Sequence, residues 1–359
     1  MASERPGDGD MRIGTAKASY AADTALFDTP TQRVWLVLLA ALLVAFPFLV
    51  SEYWLYLACL VAINIASTAG LNVLTGYTGL VSLGQAAFKG LGAYTVAILQ
   101  IRYGTPLLLN LLAGGVVALA AGVVVGLPSL RVKGLYLAIA TIAAGVFTHF
   151  AFGHFTQLTG GSAGITVPPA QLFGQELDTS FKLYWVIVPV TGLMLLGAAN
   201  LFRTRIGRAF IAIRDRDISA EVLGIPLLPY KLLSFAISSF YAGVAGGLFA
   251  YFFRAVTPES FPLLMSIFFL AAVIVGGMGT VLGSVLGAVF MTLVPEILKL
   301  LVAWLPVALV GSNAAQFLSP VRTIVFGLMI VLFLIFEPHG LAEIWRRTRR
   351  LFHLWPFRT

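Results

Sequence analysis

Glu296 and Lys299 stand one helical turn apart in the apolar run VLGAVFMTLVPEILKLLVAW. At that spacing they share a helix face, where they can pair as ions, or the acid can carry a proton through a membrane. Their place near the outer end of the run favours a structural pair. His149 and His154 are five residues apart and do not share a face, which suits ordinary interfacial histidines. Cys59 is the single cysteine and lies inside an apolar run, where packing is its simplest role. No GxxxxGK[ST] phosphate loop, HExxH, cysteine pair or GxSxG occurs. The chain is therefore expected to hold no catalytic, cofactor or metal site. An ion-driven carrier usually binds its ion with buried carboxylates or unwound carbonyls, and the carboxylate route is almost closed here. Energy is expected to enter from outside the membrane.

Two other patterns carry information. Residues 70–99, GLNVLTGYTGLVSLGQAAFKGLGAYTVAIL, put many glycines beside Asn72, Thr75, Ser82, Gln85 and Lys89 in an otherwise apolar chain. Glycine costs a helix about 1 kcal/mol per position relative to alanine. Membrane helices accept this for close packing, or for a break whose backbone lines a polar cavity. Gly76, Gly79 and Gly84 flank Thr75, Thr78, Ser82 and Gln85, which favours a break beside a path, whereas Gly90 and Gly92 read as packing. A second cluster, GGMGTVLGSVLGA (276–288), is its counterpart, with packing an open alternative because Gly279, Gly283 and Gly287 repeat every fourth residue. In GRAFIAIRDRDISAEVLGI (207–225), Phe210, Ile213, Ile218, Val222 and Leu223 approximate helical spacing, and Gly224-Ile225-Pro226 is a helix stop. This predicts one short, basic amphipathic helix lying along the membrane, either a docking peg for a soluble motor or a solvated loop helix.

The elements that position these residues follow from composition. The chain is 59% hydrophobic and 11% charged, with mean hydropathy +0.94, too little charge to cover a soluble globule. A bilayer core about 30 Å thick needs roughly 20 helical residues. Apolar runs of that order occur at 34–50, 54–74, 79–100, 107–127, 134–153, 183–202, 230–252, 264–281, 283–303 and 322–337, predicting an all-α polytopic membrane protein with about ten transmembrane helices and Gly-rich broken segments. The first ~30 residues read as a mobile tail rather than a secretory signal. Basic residues set the orientation: Arg5, Arg12, Lys17, Arg33, Arg131, Lys133, the cluster from Arg203 to Lys231 and the arginines from Arg346 onward are expected on one side, which makes both termini cytoplasmic. The expected organisation is a cytoplasmic flexible tail (1–32), a transmembrane domain (33–338) with an external loop (154–182) and an internal loop (203–229), and a basic cytoplasmic tail (339–359). The net charge of +8 calls for no nucleic acid; the closing RRTRRLFHLWPFRT suits the surface of an anionic lipid bilayer.

In order, GLNVLTGYTGLVSLGQAAFKGLGAYT, LTGGSAGI (158–165), GRAFIAIRDRDISAEVLGI, YKLLSFAISSFYAGVAGGLFA (230–250), VTPESF (256–261), GGMGTVLGSVLGA and EPHGL (337–341) resemble the permeases of branched-chain amino-acid ABC importers. The likeness runs from about residue 33 to residue 345, and the two long loops look like the M-type subunit of the leucine, isoleucine and valine system. The resemblance implies an ABC importer permease fold in a bacterial inner membrane. Its expected partners are an H-type permease subunit, two cytosolic ATP-binding subunits that hold the ATP, and a periplasmic amino-acid-binding protein. It also implies that the internal loop is the coupling helix, nominating Arg208, Arg214, Asp217, Glu221 and Gly224 for contact with the ATPase. Asn72, Thr75, Gly76, Ser82 and Gln85 would line or shape the translocation path. Relatives carry urea, other small amides or organic acids; GGMGT in place of an arginine-bearing block favours amino acids. The contrasting class is an ion-coupled secondary transporter.

Overall fold

The computed structural model describes residues 30–129, 134–172, 174–303 and 340–354, with isolated positions between 324 and 335. The chain divides into two compact units, residues 1–49 and 50–359. In the first unit, the described residues form α1 (Pro30–Leu49), whose Val34, Val37, Leu38 and Leu39 are exposed. Residues 1–29 of the expected tail lie outside the described residues, and residues 30–32 belong to α1.

The second unit is built around two enclosed helices. Helix α2 (Glu52–Asn72) opens with Ser51 extended and Glu52 in its first turn, where an acid favours the helix dipole. Val73–Tyr77 continue it as a π-helical turn. Residues 78–84 are not helical, and Gly79 takes φ 74°. Helix α3 then runs Gln85–Tyr103. The apolar run suggested a span from residue 79; the glycines and the side-chain bonds described below delay its start. Helices α4 (Leu107–Ser129), α5 (Leu135–His154) and α6 (Ser180–Arg203) agree with the expected spans to within a few residues. They expose Val124, Ile139, Phe147 and Leu193, a surface suited to hydrocarbon.

The segment expected to be internal, 203–229, forms α7 (Arg205–Asp215) and α8 (Asp217–Val222), separated by Arg216 in extended geometry. This corrects the single helix suggested by the apolar spacing. Phe210 and Ile213 are buried in the protein, whereas Ile218, Val222 and Leu223 are exposed, so the apolar positions make two faces instead of one stripe. Helix α9 (Leu227–Phe253) is the second enclosed helix, and α10 (Leu263–Gly276), α11 (Val281–Ala303) and α12 (Leu341–Leu354) follow it. Small residues let α9 lie against α3 and α4: a Cβ at Gly92 would overlap the Gly243 carbonyl, and one at Gly246 the Lys89 carbonyl. Between α10 and α11, Cβ atoms at Gly276, Gly283 and Gly287 would overlap backbone of the facing helix or turn. The four-residue glycine repeat therefore packs helices at Gly283 and Gly287, while Gly279, with φ 75°, sits in a break.

The loop expected to be external, 154–182, is pinned by short strands. β1 (Ile165–Thr166) pairs antiparallel with β4 (Ala255–Val256), and β2 (Ala170–Leu172) with β3 (Gln175–Leu177). The segment after α5 is thus tied to the segment after α9. Lys182 Nζ lies 2.7 Å from Asp178 Oδ1, and that bond holds the exposed carboxyl below its ordinary pKa.

Six helices among the described residues are long and apolar enough to cross a membrane, with two shorter apolar ones at Val34–Leu49 and Val281–Ile297. Most of the expected span at 322–337 lies outside the described residues, as do Arg131, Lys133, the side chain of Lys299 and most of EPHGL. Glu296 accepts a 2.8 Å bond from Tyr53 Oη. His154 stacks on Phe150 with ring centroids 3.8 Å apart.

Candidate functional site

The two helix interruptions meet. Gln85 Nε2 donates to the Ser67 carbonyl at 2.9 Å, which puts the start of α3 beside a residue well inside α2. Ser67 precedes Tyr77 by ten residues, about 15 Å of helix, so residues 78–84 run back over that length without helical bonds. Unpaired backbone at that depth would cost several kcal/mol per group. The Leu74 carbonyl accepts from Leu80 N–H at 3.1 Å, and side chains supply further partners. Thr141 Oγ1 accepts from Leu83 N–H at 3.0 Å, Ser266 Oγ from Ala86 N–H at 2.9 Å, and Ser82 Oγ from Gly84 N–H at 3.3 Å. Thr75 Oγ1 donates to the Leu80 carbonyl at 3.1 Å.

Asn72 joins this break to the turn between α10 and α11. Its Nδ2 donates at 2.8 Å to both the Thr280 carbonyl and Ser284 Oγ, and its Oδ1 accepts from Gly279 N–H at 3.0 Å. All capacity of that side chain facing the turn is used. Gly76 lies in the same crossing, where an added Cβ would overlap Asn72 Oδ1 and Gly279 N. The glycine is required there by close approach of two backbones.

Arg214, near the end of α7, reaches into this junction. Its Nη1 donates to the Gly76 carbonyl at 2.9 Å, and a Cβ at Gly279 would meet the same nitrogen. Asp215 Oδ1 braces the guanidinium from 3.2 Å. A cavity of about 530 Å³ is lined by Thr75, Gly76, Arg214, Met278, Glu343 and Arg346. It brings α7, both interruptions and α12 to one chamber. Of the five residues expected at a path, Thr75 and Gly76 line this chamber; Asn72, Ser82 and Gln85 do not, and are buried in the bonds that hold the break.

The residues expected at a coupling contact separate by position. Arg208 is exposed and donates to the Arg203 carbonyl at 3.2 Å. Asp217 accepts from Ile218 N–H at 2.9 Å and lies 3.8 Å from Lys231 Nζ, joining α8 to the start of α9. Glu221 is exposed. Gly224, with φ 85°, closes α8: its N–H bonds the Glu221 carbonyl at 2.9 Å and Ile225 N–H bonds Ala220 at 3.0 Å, a Schellman stop.

Lys89 was visible in the sequence as a basic residue within a span, but no role followed from it. It is fully buried, with Nζ 3.5 Å from Asn64 Oδ1 and above the rings of Phe269 and Phe249 at 4.8 and 5.1 Å. Its spacing of four from Gln85 was the available signal: both fall on the inward face of α3.

Comparison with known proteins agrees with this architecture. Residues 52–334 match the family described as branched-chain amino acid transport system / permease component. The chain is 34% identical over 347 residues to the high-affinity branched-chain amino acid transport system permease protein LivM of Escherichia coli (strain K12), covering 90% of this chain and 78% of that protein. It is 25% identical over 305 residues to the probable LivM of Methanocaldococcus jannaschii, covering 76% and 88%. With the E. coli LivH permease it shares 25% over 247 residues, 62% of this chain and 77% of that protein. No solved structure matches the chain.

Proposed function

Because the chain belongs to the family of branched-chain amino acid transport permeases, we propose that it is the M-type membrane subunit of an ATP-driven importer of branched-chain amino acids. It forms half of a translocation path in the inner membrane, with both termini cytoplasmic and about ten spans in all. An H-type permease completes the path, two cytosolic ATP-binding subunits supply the energy, and a periplasmic amino-acid-binding protein delivers the cargo.

The observation that carries this reading is the 2.9 Å bond from Arg214 to the Gly76 carbonyl. Helix α8 offers exposed Ile218, Val222 and Leu223 beside the charged groups of α7, a surface fitted to a cleft in a soluble partner. Movement of that surface reaches the interruption of α2 through one guanidinium. When the ATPase subunits close on ATP, α7 and α8 move with them, and the interruptions change access from one side of the membrane to the other. Selectivity rests mainly in the delivering protein, so the path itself needs only weak sites that release cargo.

The test is gentle solubilisation of the tagged chain from its native membrane, followed by identification of co-purifying proteins and leucine uptake assays in the same cells. Recovery of a second permease and two ATPases, with ATP-dependent uptake, is expected. Recovery of the chain alone in several mild detergents, with uptake that follows an ion gradient, would replace this reading by a secondary transporter.

A further inference from the structure

We propose that the half-open cavity lined by α2, α9, α10, α11 and the turn at 258–262 is a station for aliphatic α-amino acids, with a hydrogen-bond-donating floor for the carboxylate and an acidic mouth for the ammonium. The cavity measures about 540 Å³, within the range of roughly 300–1,000 Å³ usual for small-molecule sites. Its cargo class rests on the importer function proposed above.

The floor is formed by buried Asn64 and Thr292, with Met291 beside them. Lys89 Nζ lies 3.5 Å from Asn64 Oδ1 and so claims the acceptor of that amide. The orientation of Asn64 follows: Nδ2 faces Thr292 Oγ1 and donates to it at 3.1 Å. What remains for the cavity is the second amide hydrogen and the threonine hydroxyl hydrogen, both donors. Neither has an acceptor among the described residues. Behind them lies a lysine with no carboxylate pairing with it among the described residues. A buried amine gains its charge most readily beside an anion. A two-donor floor backed by a lysine amine suits a carboxylate, whose charge would favour the ammonium behind it.

The remaining walls fit the rest of such a molecule. Leu60, Met265 and Phe268 give an apolar side surface, and methionine adapts to branched shapes. Glu259, which is exposed, and half-buried Glu296 lie at the open end, where they face the ammonium of a zwitterion held by its carboxylate. Lys89 does not line the cavity; it is a positioning residue that acts through Asn64.

The test uses the full chain with its native partners in isolated membranes, labelled by a diazirine analogue of leucine and mapped by peptide mass spectrometry. Labelling is expected on the peptides of Leu60, Met265 and Met291, with leucine displacing it about tenfold better than leucinamide, which lacks the carboxylate. Lys89→Met should bring the leucine-to-leucinamide ratio close to one, and Thr292→Val should lower it in part, whereas mere loosening of the fold would weaken both competitors alike. The comparison of competitors in the unsubstituted protein decides even where a variant does not fold. Labelling outside the cavity, or equal displacement by the two competitors, overturns the station. Leucine uptake by the same cells separates the two readings: uptake without cavity labelling removes the station alone, and cavity labelling without ATP-dependent uptake keeps the station and removes the importer.

Discussion

Arg214 on helix α7 donates a 2.9 Å hydrogen bond to the backbone carbonyl of Gly76, at the point where α2 gives way to non-helical chain. The two residues are 138 positions apart, and the bond ties the loop between α6 and α9 to the interruption of α2.

Replacing Arg214 should separate transport from stability. The side chain is 38% exposed, so solvent screening limits the bond to about 1 kcal/mol of stability. Uptake by Arg214→Ala should nevertheless fall about tenfold or more, with the amount of protein in the membrane unchanged. Arg214→Lys keeps the charge but loses the fork, and should fall between the two. Normal uptake by Arg214→Ala, measured with radiolabelled leucine, would sink the coupling role.

Gly76→Ala tests the crossing itself. The new methyl would overlap Asn72 Oδ1 and the Gly279 backbone, a clash worth about 2 kcal/mol or more. Gly145→Ala, in α5 with no atom within 4 Å of the added Cβ, should be neutral or stabilising by about 0.5–1 kcal/mol. Thermal unfolding in detergent should rank Gly145→Ala above the unsubstituted protein and Gly76→Ala well below it.

Asn72 should tolerate no isostere. Asn72→Asp keeps an acceptor for Gly279 N–H but loses both 2.8 Å donations, and brings a carboxylate against the Thr280 carbonyl. A loss of about 2–3 kcal/mol is expected, read as a lower melting temperature. A variant as stable as the parent would show that the two interruptions stand independently.

The exposed end of α8 should matter only to a partner. Val222 is 83% exposed, so Val222→Asp should change stability by no more than about 0.5 kcal/mol while removing the ATPase from the purified complex. Gly224→Ala strains a residue at φ 85° by about 1–2 kcal/mol, and Gly224→Asn should be better tolerated. Quantitative mass spectrometry of the co-purified ATPase distinguishes these variants from the parent.

Much of this was readable from residues alone. Long apolar runs placed most helices within a few residues, the glycines at 76 and 79 marked a real interruption, and Gly224 marked a real stop. Other features lie beyond local pattern. Extended Arg216 divides α7 from α8 with no glycine or proline to announce it; burial of Phe210 and Ile213 against exposure of Ile218 and Val222 requires that bend. The late start of α3 depends on acceptors from Thr141 and Ser266, far away in sequence. The orientation of Lys89 depends on Asn64, Phe249 and Phe269, which meet only when α2, α3, α9 and α10 are packed.

The Asn72 junction also bears on mechanical slack. Nitrogen-to-oxygen hydrogen bonds keep their strength only between about 2.7 and 3.2 Å. The chain of contacts from Arg214 through Gly76 and Asn72 to Gly279 is made of such bonds and one backbone crossing. A displacement of α7 beyond about half an ångström must therefore be handed on or must snap a contact. A linkage of this kind has almost no backlash: a small shift of α7 is passed to the two interruptions together, before slack in the contacts can absorb it.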